Sequence, residues 1–211
     1  MYSSPAHLVI GFHGCDKEIG ESILAGKAHL KPSENEYDWL GSGRYFWEGD
    51  PGRAENYALW LSKRVSPPHI ASPFVIGAVI DLGHCLNLVE SENLQQLEKA
   101  YLALSDAARL AGKKLPENKP LRSSDDLILR NLDCLVIETV HKTMAAENRP
   151  PYDSVRGVFW EGDELYPDAG FKKLNHMQIC VRNPNCIKGY FRPLGKLPEH
   201  PEPGRIALPS S

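Results

Sequence analysis

The chain has 211 residues, 42% hydrophobic and 24% charged, a balance that excludes a disordered or fibrous protein and suits one globular domain. Twenty-four Lys and Arg against 27 Asp and Glu leave a net charge of −3, which excludes a dedicated nucleic-acid packaging protein but not a local basic patch. No apolar run approaches the roughly 20 residues of a membrane helix. The opening Met-Tyr-Ser-Ser-Pro-Ala-His lacks the pattern of a signal peptide, and the five cysteines are scattered without a CxxC pair. The expectation is a soluble, cytoplasmic protein with reduced thiols and no membrane contact.

Residues 7–13 are apolar with β-branched content and predict a strand. Asp16 then caps a short helix with Ile19, Ile23 and Leu24 on one face, stopped at Gly26. Residues 33–43 are polar and glycine-bearing, a loop that runs into the aromatic strand 44–47. Asp50-Pro51 opens a helix in which Ala54, Tyr57, Ala58 and Leu61 share a face, ended by Pro67-Pro68. Residues 74–81 predict a buried strand. Leu94, Leu97, Tyr101, Leu104, Ala108 and Ala111 keep helical spacing from Ser91 to Gly112. Residues 113–122 read as a surface loop, and Ser124 begins a helix through Ile128, Leu132, Leu135, Val136 and Val140. Strands follow at 155–160, 176–181 and 186–191. Five of the 17 prolines fall between 193 and 209, so residues 1–193 are expected to form the domain and 194–211 a proline-rich tail. Strands at both ends with helices between them predict α+β with a mixed or antiparallel sheet.

Three places carry chemistry. His13-Gly14 sets a histidine at a strand end, before a glycine that lets a ligand approach the backbone; the plainer reading is an edge histidine before a turn. Gly41-Ser42-Gly43-Arg44-Tyr45-Phe46-Trp47, with Tyr57 on the next helix, suits a slot for a flat heterocycle, or else a turn plus core aromatics. The loop holding Glu161 and Glu164 enters a strand whose alternation sets His176, Gln178 and Cys180 on one face. A polar Gln178 on a half-buried strand needs a partner or ligand, unless that face meets solvent. His176, Cys180 and Cys186 lack the spacing of a zinc site.

In this order the three elements resemble the ADP-ribosyltransferase superfamily, in its PARP-like or diphtheria-toxin-like branch, over about residues 8–193. His13-Gly14 matches the first-strand histidine, Gly43-Arg44-Tyr45-Phe46 the Gly-x-Tyr-Phe strand, and Ile187-Lys188-Gly189-Tyr190-Phe191 the terminal strand. Gln178 stands at the third position, normally glutamate. The segment from Asp38 to Glu48 looks like a bacterial subgroup, several of whose members are toxins of toxin–antitoxin or phage-defence systems.

The resemblance implies split mixed or antiparallel sheets with inserted helices and NAD as co-substrate. His13 would bind the adenosine-side ribose, and Gly14, Ser42 and Gly43 would line the site. Tyr45 and Tyr57 would sandwich the nicotinamide, and Arg44 would meet the diphosphate; Arg53 reads better as a helix-surface arginine. Gln178 would accept a ribose hydrogen bond but brings no charge, so Glu161 or Glu164 would activate the acceptor. The implied function is mono-ADP-ribosylation of a macromolecule, with single-stranded nucleic acid such as RNA favoured over protein, in a toxin countered by an antitoxin protein. Arg44, Lys63-Arg64, Lys113-Lys114, Arg122, Lys172-Lys173 and Arg182 would form the basic groove, or else ordinary solvated surface. The alternatives are an NAD-dependent RNA 2′-phosphotransferase, against which Tyr45 weighs, and a non-catalytic NAD- or ADP-ribose-binding domain.

Overall fold

The computed structural model describes residues 8–64, 69–120 and 126–195. Pro67-Pro68, Arg122, Ser124 and nearly all of the proline-rich tail lie outside them. β1 (Leu8–Asp16) leads directly into α1 (Lys17–Leu24), because the Asp16 carboxylate accepts the Glu18 amide and caps the helix. β2 (Arg44–Glu48) is followed by α2 (Pro51–Ser62), with Asp50 accepting the Arg53 amide and Pro51 at the first helical position. β3 (Pro73–Asp81), β4 (Cys85–Asn87), α3 (Ser91–Leu110), β5 (Asn118–Lys119), β6 (Leu129–Arg130) and α4 (Asn131–Ala146) follow. β7 (Ser154–Phe159), β8 (His176–Val181) and β9 (Ile187–Phe191) complete the fold. It is α+β, with four helices among the described residues and a mixed seven-stranded sheet in the order β4-β7-β8-β2-β1-β3-β9. Among the described residues only β4 and β7 pair in parallel. No helix among the described residues is long and apolar enough to cross a membrane.

Several expectations are corrected. Among the described residues the fourth helix begins at Asn131, after 129–130 pairs with 118–119, so Ile128 lies outside it. The cause is Asn118, whose side-chain oxygen accepts the amides of Leu132 and Asp133 and thereby fixes where the helix starts. The same pairing puts a short strand inside the stretch read as a surface loop. In α1 the buried residues are Gly20 and Ile23, while Ile19 is 54% exposed, because Phe74 lies where a side chain at position 20 would go. β4 had no signal of its own. The β8 face holding His176 and Cys180 is buried, so it is not a solvent face.

α1 covers one face of the sheet, where Cys15, Ile23, Phe46, Ile76, Ala78, Ile80, Ile179 and Val181 pack together. The other face is covered in two places. α4 lies over β7 and β8 through Ile137, Val140 and Met144 against Val155 and Cys180, while α2 sets Ala54 against Trp47, Val75 and Phe12. The strip of sheet between α4 and α2 carries the aromatic residues described below.

β1 pairs with β3 along its whole length, from Leu8–Asp81 to Asp16–Pro73. With β2 it pairs only at Gly11–Glu48 and Phe12–Trp47. Past that point β2 continues against β8, from Trp47–Gln178 to Arg44–Val181. The sheet therefore parts between β1 and β2 just where His13 begins.

Candidate functional site

His13 stands at this parting. Its Nδ1 lies 2.8 Å from the main-chain oxygen of Tyr45, so a side chain joins the strands where the ladder does not. The ring lies edge-on to Phe46, on the α1 face of the sheet. Burial lowers its pKa, so it is neutral at pH 7. Gly14 points the other way: a Cβ there would collide with the carbonyl oxygen of Ala54, so glycine is needed for the close approach of α2.

The 41–43 turn is filled by the protein itself, which corrects its reading as an open slot. Gly43 has no room for a side chain because the Cys180 sulfur lies against it, and Gly41 adopts φ +78° beside Glu138. Glu138 accepts the Ser42 amide at 2.8 Å and pairs with Arg182 at 2.7 Å. Tyr45 donates its hydroxyl to the Gly41 carbonyl at 2.8 Å and accepts the Leu40 amide at 3.0 Å. Arg44 donates to the Leu30 carbonyl at 2.7 Å. On the sheet, Tyr57 meets the ring of Trp47, at 5.1 Å between centroids, in place of Tyr45.

A line of rings crosses the sheet between α4 and α2. Trp39 meets Phe159 at 5.0 Å, Phe159 meets His176 at 5.3 Å, His176 meets Trp47 at 6.2 Å, and Tyr57 meets Trp60 at 5.8 Å. Arg130 lies over Trp39 at one end and Arg64 over Trp60 at the other. Gly157 leaves room for the edge of the Trp39 ring against β7, and the Trp39 indole N–H donates to Gln178 Oε1 at 2.7 Å.

Beside this line is a buried charge cluster. Arg53 is 6% exposed and Glu161 7%, joined at 2.7 Å, so Arg53 is not a helix-surface arginine. The same Glu161 oxygen lies 3.8 Å from His176 Nδ1, which is itself 2.7 Å from the Leu174 carbonyl. Burial, with Asp126 nearby, raises the Glu161 pKa against the pull of Arg53, and burial holds His176 down to about 3. Glu164 is exposed, bridged to Lys172 in a hairpin and accepting the Asp168 amide. The two candidate carboxylates are thus distinct: one is buried against β8 and the other shapes a loop.

Three of the cations expected to form a groove are held by carboxylates of their own. Arg182 pairs with Glu138, Lys172 with Asp126, and Lys173 with Asp163. The structure gathers Trp47, Tyr57, Gln178, Glu161, Arg53 and His176 on one face, with His13 at the parting behind them. Trp39, Trp47 and His176 join the site without a role expected from sequence, their signals being the aromatic run 45–47 and the alternation 176–180. No family model, curated protein or solved structure matches the chain.

Proposed function

We propose that the chain is an NAD-dependent mono-ADP-ribosyltransferase whose ligand lies along the parting of β1 and β2 and the aromatic strip beside it. The observation that carries the reading is the parting, with His13 across it and the strand of Gln178 on the β2 side. A strand paired on one side only turns half its backbone groups toward the gap, which suits a polar, extended ligand. Tyr57, packed on Trp47 and 39% exposed, is the ring of the strip that a flat ligand ring could meet.

Transfer breaks the nicotinamide–ribose bond, and nicotinamide leaves with the bonding electrons. The acceptor nucleophile bonds to the ribose carbon and gives up its proton. Glu161 is the better placed of the two carboxylates to take it, being buried beside β8 with a raised pKa, while Glu164 is spent on its hairpin. The acceptor is a macromolecule, with single-stranded nucleic acid favoured because Tyr57 and Trp60 with Arg64 form a stacking surface. The biological role in this reading is that of a toxin held in check by a protein antitoxin.

Incubation of the purified protein with labelled NAD and with cellular RNA, DNA and protein tests this. Label transfer that His13→Ala abolishes is the expected result. NAD binding without consumption overturns it in favour of a binding domain. Removal of an RNA 2′-phosphate as a cyclic phosphate product overturns it in favour of a phosphotransferase.

A further inference from the structure

The β7–β8 pairing runs on past Phe159 and His176 as a hairpin. Leu174 donates its amide to the Glu161 carbonyl at 3.0 Å, Lys173 to Asp163 at 2.9 Å, and Leu165 to Phe171 at 2.9 Å, with Glu164 bridged to Lys172. A turn closed from Ala169 to the Tyr166 carbonyl ends it, and there Asp168 takes φ +63° with its amide held by the Glu164 carboxylate. The root is fixed to the body. Glu161 grips Arg53, Leu174 is buried, and Asp126 accepts the Gly162 amide at 2.7 Å and pairs with Lys172.

This register sets Glu164 opposite Lys172 and Leu165 opposite Phe171. Side chains alternate along a strand and partners share a face, so Leu165 and Phe171 lie together on the face away from Lys172. Lys172 reaches Asp126, a buried carboxylate, so its face is the one turned to the body. The apolar pair is turned outward, and Leu165, Tyr166 and Phe171 are 54%, 55% and 60% exposed. The usual order is inverted, since a slip of one residue would bury the apolar pair and free the lysine. A firmly rooted hairpin that shows its apolar face to solvent is a contact surface.

Charge and area select the occupant. Glu164 and Asp168 are exposed and pair with no cation among the described residues, while Lys172 and Lys173 are held by Asp126 and Asp163. An unbalanced acidic rim repels nucleic-acid phosphates and anionic lipid and attracts Arg or Lys. Three half-exposed side chains offer on the order of 300 Å², at about 200 Å² for each large side chain. A stable dimer needs about 800 Å² per partner, and twofold pairing of the tips would set Glu164 and Asp168 against their own copies. A short segment of another protein meets both conditions.

We infer that the outward face of this hairpin docks a short basic and apolar segment of a protein partner. Aliphatic or aromatic side chains of that segment pack on Leu165 and Phe171, and a neighbouring Arg or Lys meets Glu164 and Asp168. The surface goes beyond the transferase reading and does not depend on it, since no NAD contact enters it.

A random dodecapeptide library displayed on phage is selected on the purified full chain without NAD. An enriched peptide is then titrated by fluorescence anisotropy into wild type, Leu165→Ser/Phe171→Ser and Glu164→Gln/Asp168→Asn. Enriched sequences should join Arg or Lys to Leu, Ile, Phe or Trp. The apolar double variant should bind at least about tenfold more weakly, the loss of central anchors, with an unchanged urea midpoint because both sites are exposed. In the charge variant Gln still accepts the turn amide and Asn tolerates the positive φ. It should bind about threefold more weakly and lose most of the salt dependence that wild type shows between about 0.05 and 0.5 M NaCl. Should the apolar variant not fold, the charge variant carries the same decision. No enrichment, enriched peptides without basic residues, or equal binding to wild type and the folded variants overturns the inference. A wild-type dimer that Leu165→Ser/Phe171→Ser dissolves in sedimentation overturns it in favour of a second copy. Binding of a single-stranded oligouridine that the same variant abolishes overturns it in favour of nucleic acid. Transfer from labelled NAD, measured separately on wild type, decides the transferase reading whatever the peptide does.

Discussion

Arg53→Met tests the buried cluster most directly. The Arg53 and Glu161 side chains are 7% and 9% exposed and 2.7 Å apart. Removing one partner of such a pair costs about 3–5 kcal/mol, because the other charge stays buried without compensation. The lower end, about 3 kcal/mol, is expected here, since the unpartnered Arg53 Nε leaves with the side chain. In a domain of this size that lowers Tm by roughly 6–12 °C. The loss also depends on pH in a defined direction. Burial already raises the Glu161 pKa, and without Arg53 it rises further. A carboxyl raised above its unfolded value contributes its stability below that value and loses it as pH rises through the folded value. The deficit of Arg53→Met should therefore be largest at pH 7 and above and shrink as the pH falls and Glu161 takes up a proton. The double variant Arg53→Met/Glu161→Gln, with no charge left, should recover most of the loss at pH 7. Urea unfolding followed by tryptophan emission, at pH 5, 6, 7 and 8, measures all three. A deficit under about 1 kcal/mol at pH 7, or one that does not change with pH, refutes the argument.

Three other outcomes are expected. Burial holds His176 near 3 and His141 near 4, so below pH 6.5 the unfolded chain binds protons that the folded one refuses, and stability falls between about pH 6.5 and 4. Each histidine adds about 1.4 kcal/mol per pH unit to the slope of urea stability against pH. His141→Phe should flatten it by one such share, and an unchanged slope would count against a neutral, buried His141. Gly14→Ala drives a methyl into the Ala54 carbonyl and should cost about 3 kcal/mol, read as a lower urea midpoint; wild-type stability would show that α2 is not seated there. Gln178→Glu can still accept the Trp39 N–H, so it should fold normally and change NAD turnover less than threefold, an expectation that a large gain would overturn.

Local signals in the sequence found most elements because each rests on its own residues. Asp16 and Asp50-Pro51 do cap their helices, and the apolar run 74–81 is a central strand. The element that went astray, α4, has its start fixed by Asn118, a contact across 14 residues that no local pattern encodes. β4 is three residues long and exists through its pairing with β7. At the site, the sequence marked the strands that matter but not the direction of their atoms. Gln178 reads as a ligand-facing acceptor, yet its oxygen already accepts from Trp39, 139 residues away. Arg53 reads as a surface residue because its partner Glu161 lies 108 residues on. The glycines at 14 and 43 were read as room for a ligand, and both prove to be room for the protein's own backbone and sulfur.

The parting of the sheet has a physical cause within reach of substitution. β1 is held to β3 along nine residues and β2 to β8 along four, so neither strand can follow the other without breaking a ladder. Gly14 and Gly43 reinforce the separation, since each lets a different neighbour press close, α2 on the β1 side and Cys180 on the β2 side. Between them the inner edges of β1 and β2 are left with backbone groups that no strand satisfies, apart from the Tyr45 carbonyl that His13 meets. His13→Ala removes the side-chain tie to Tyr45 across the gap, so hydrogen exchange in residues 13–16 and 44–46 should rise about tenfold while exchange in β3 and β8 stays unchanged. Uniform loosening of the whole sheet would mean that His13 carries the fold and not the gap.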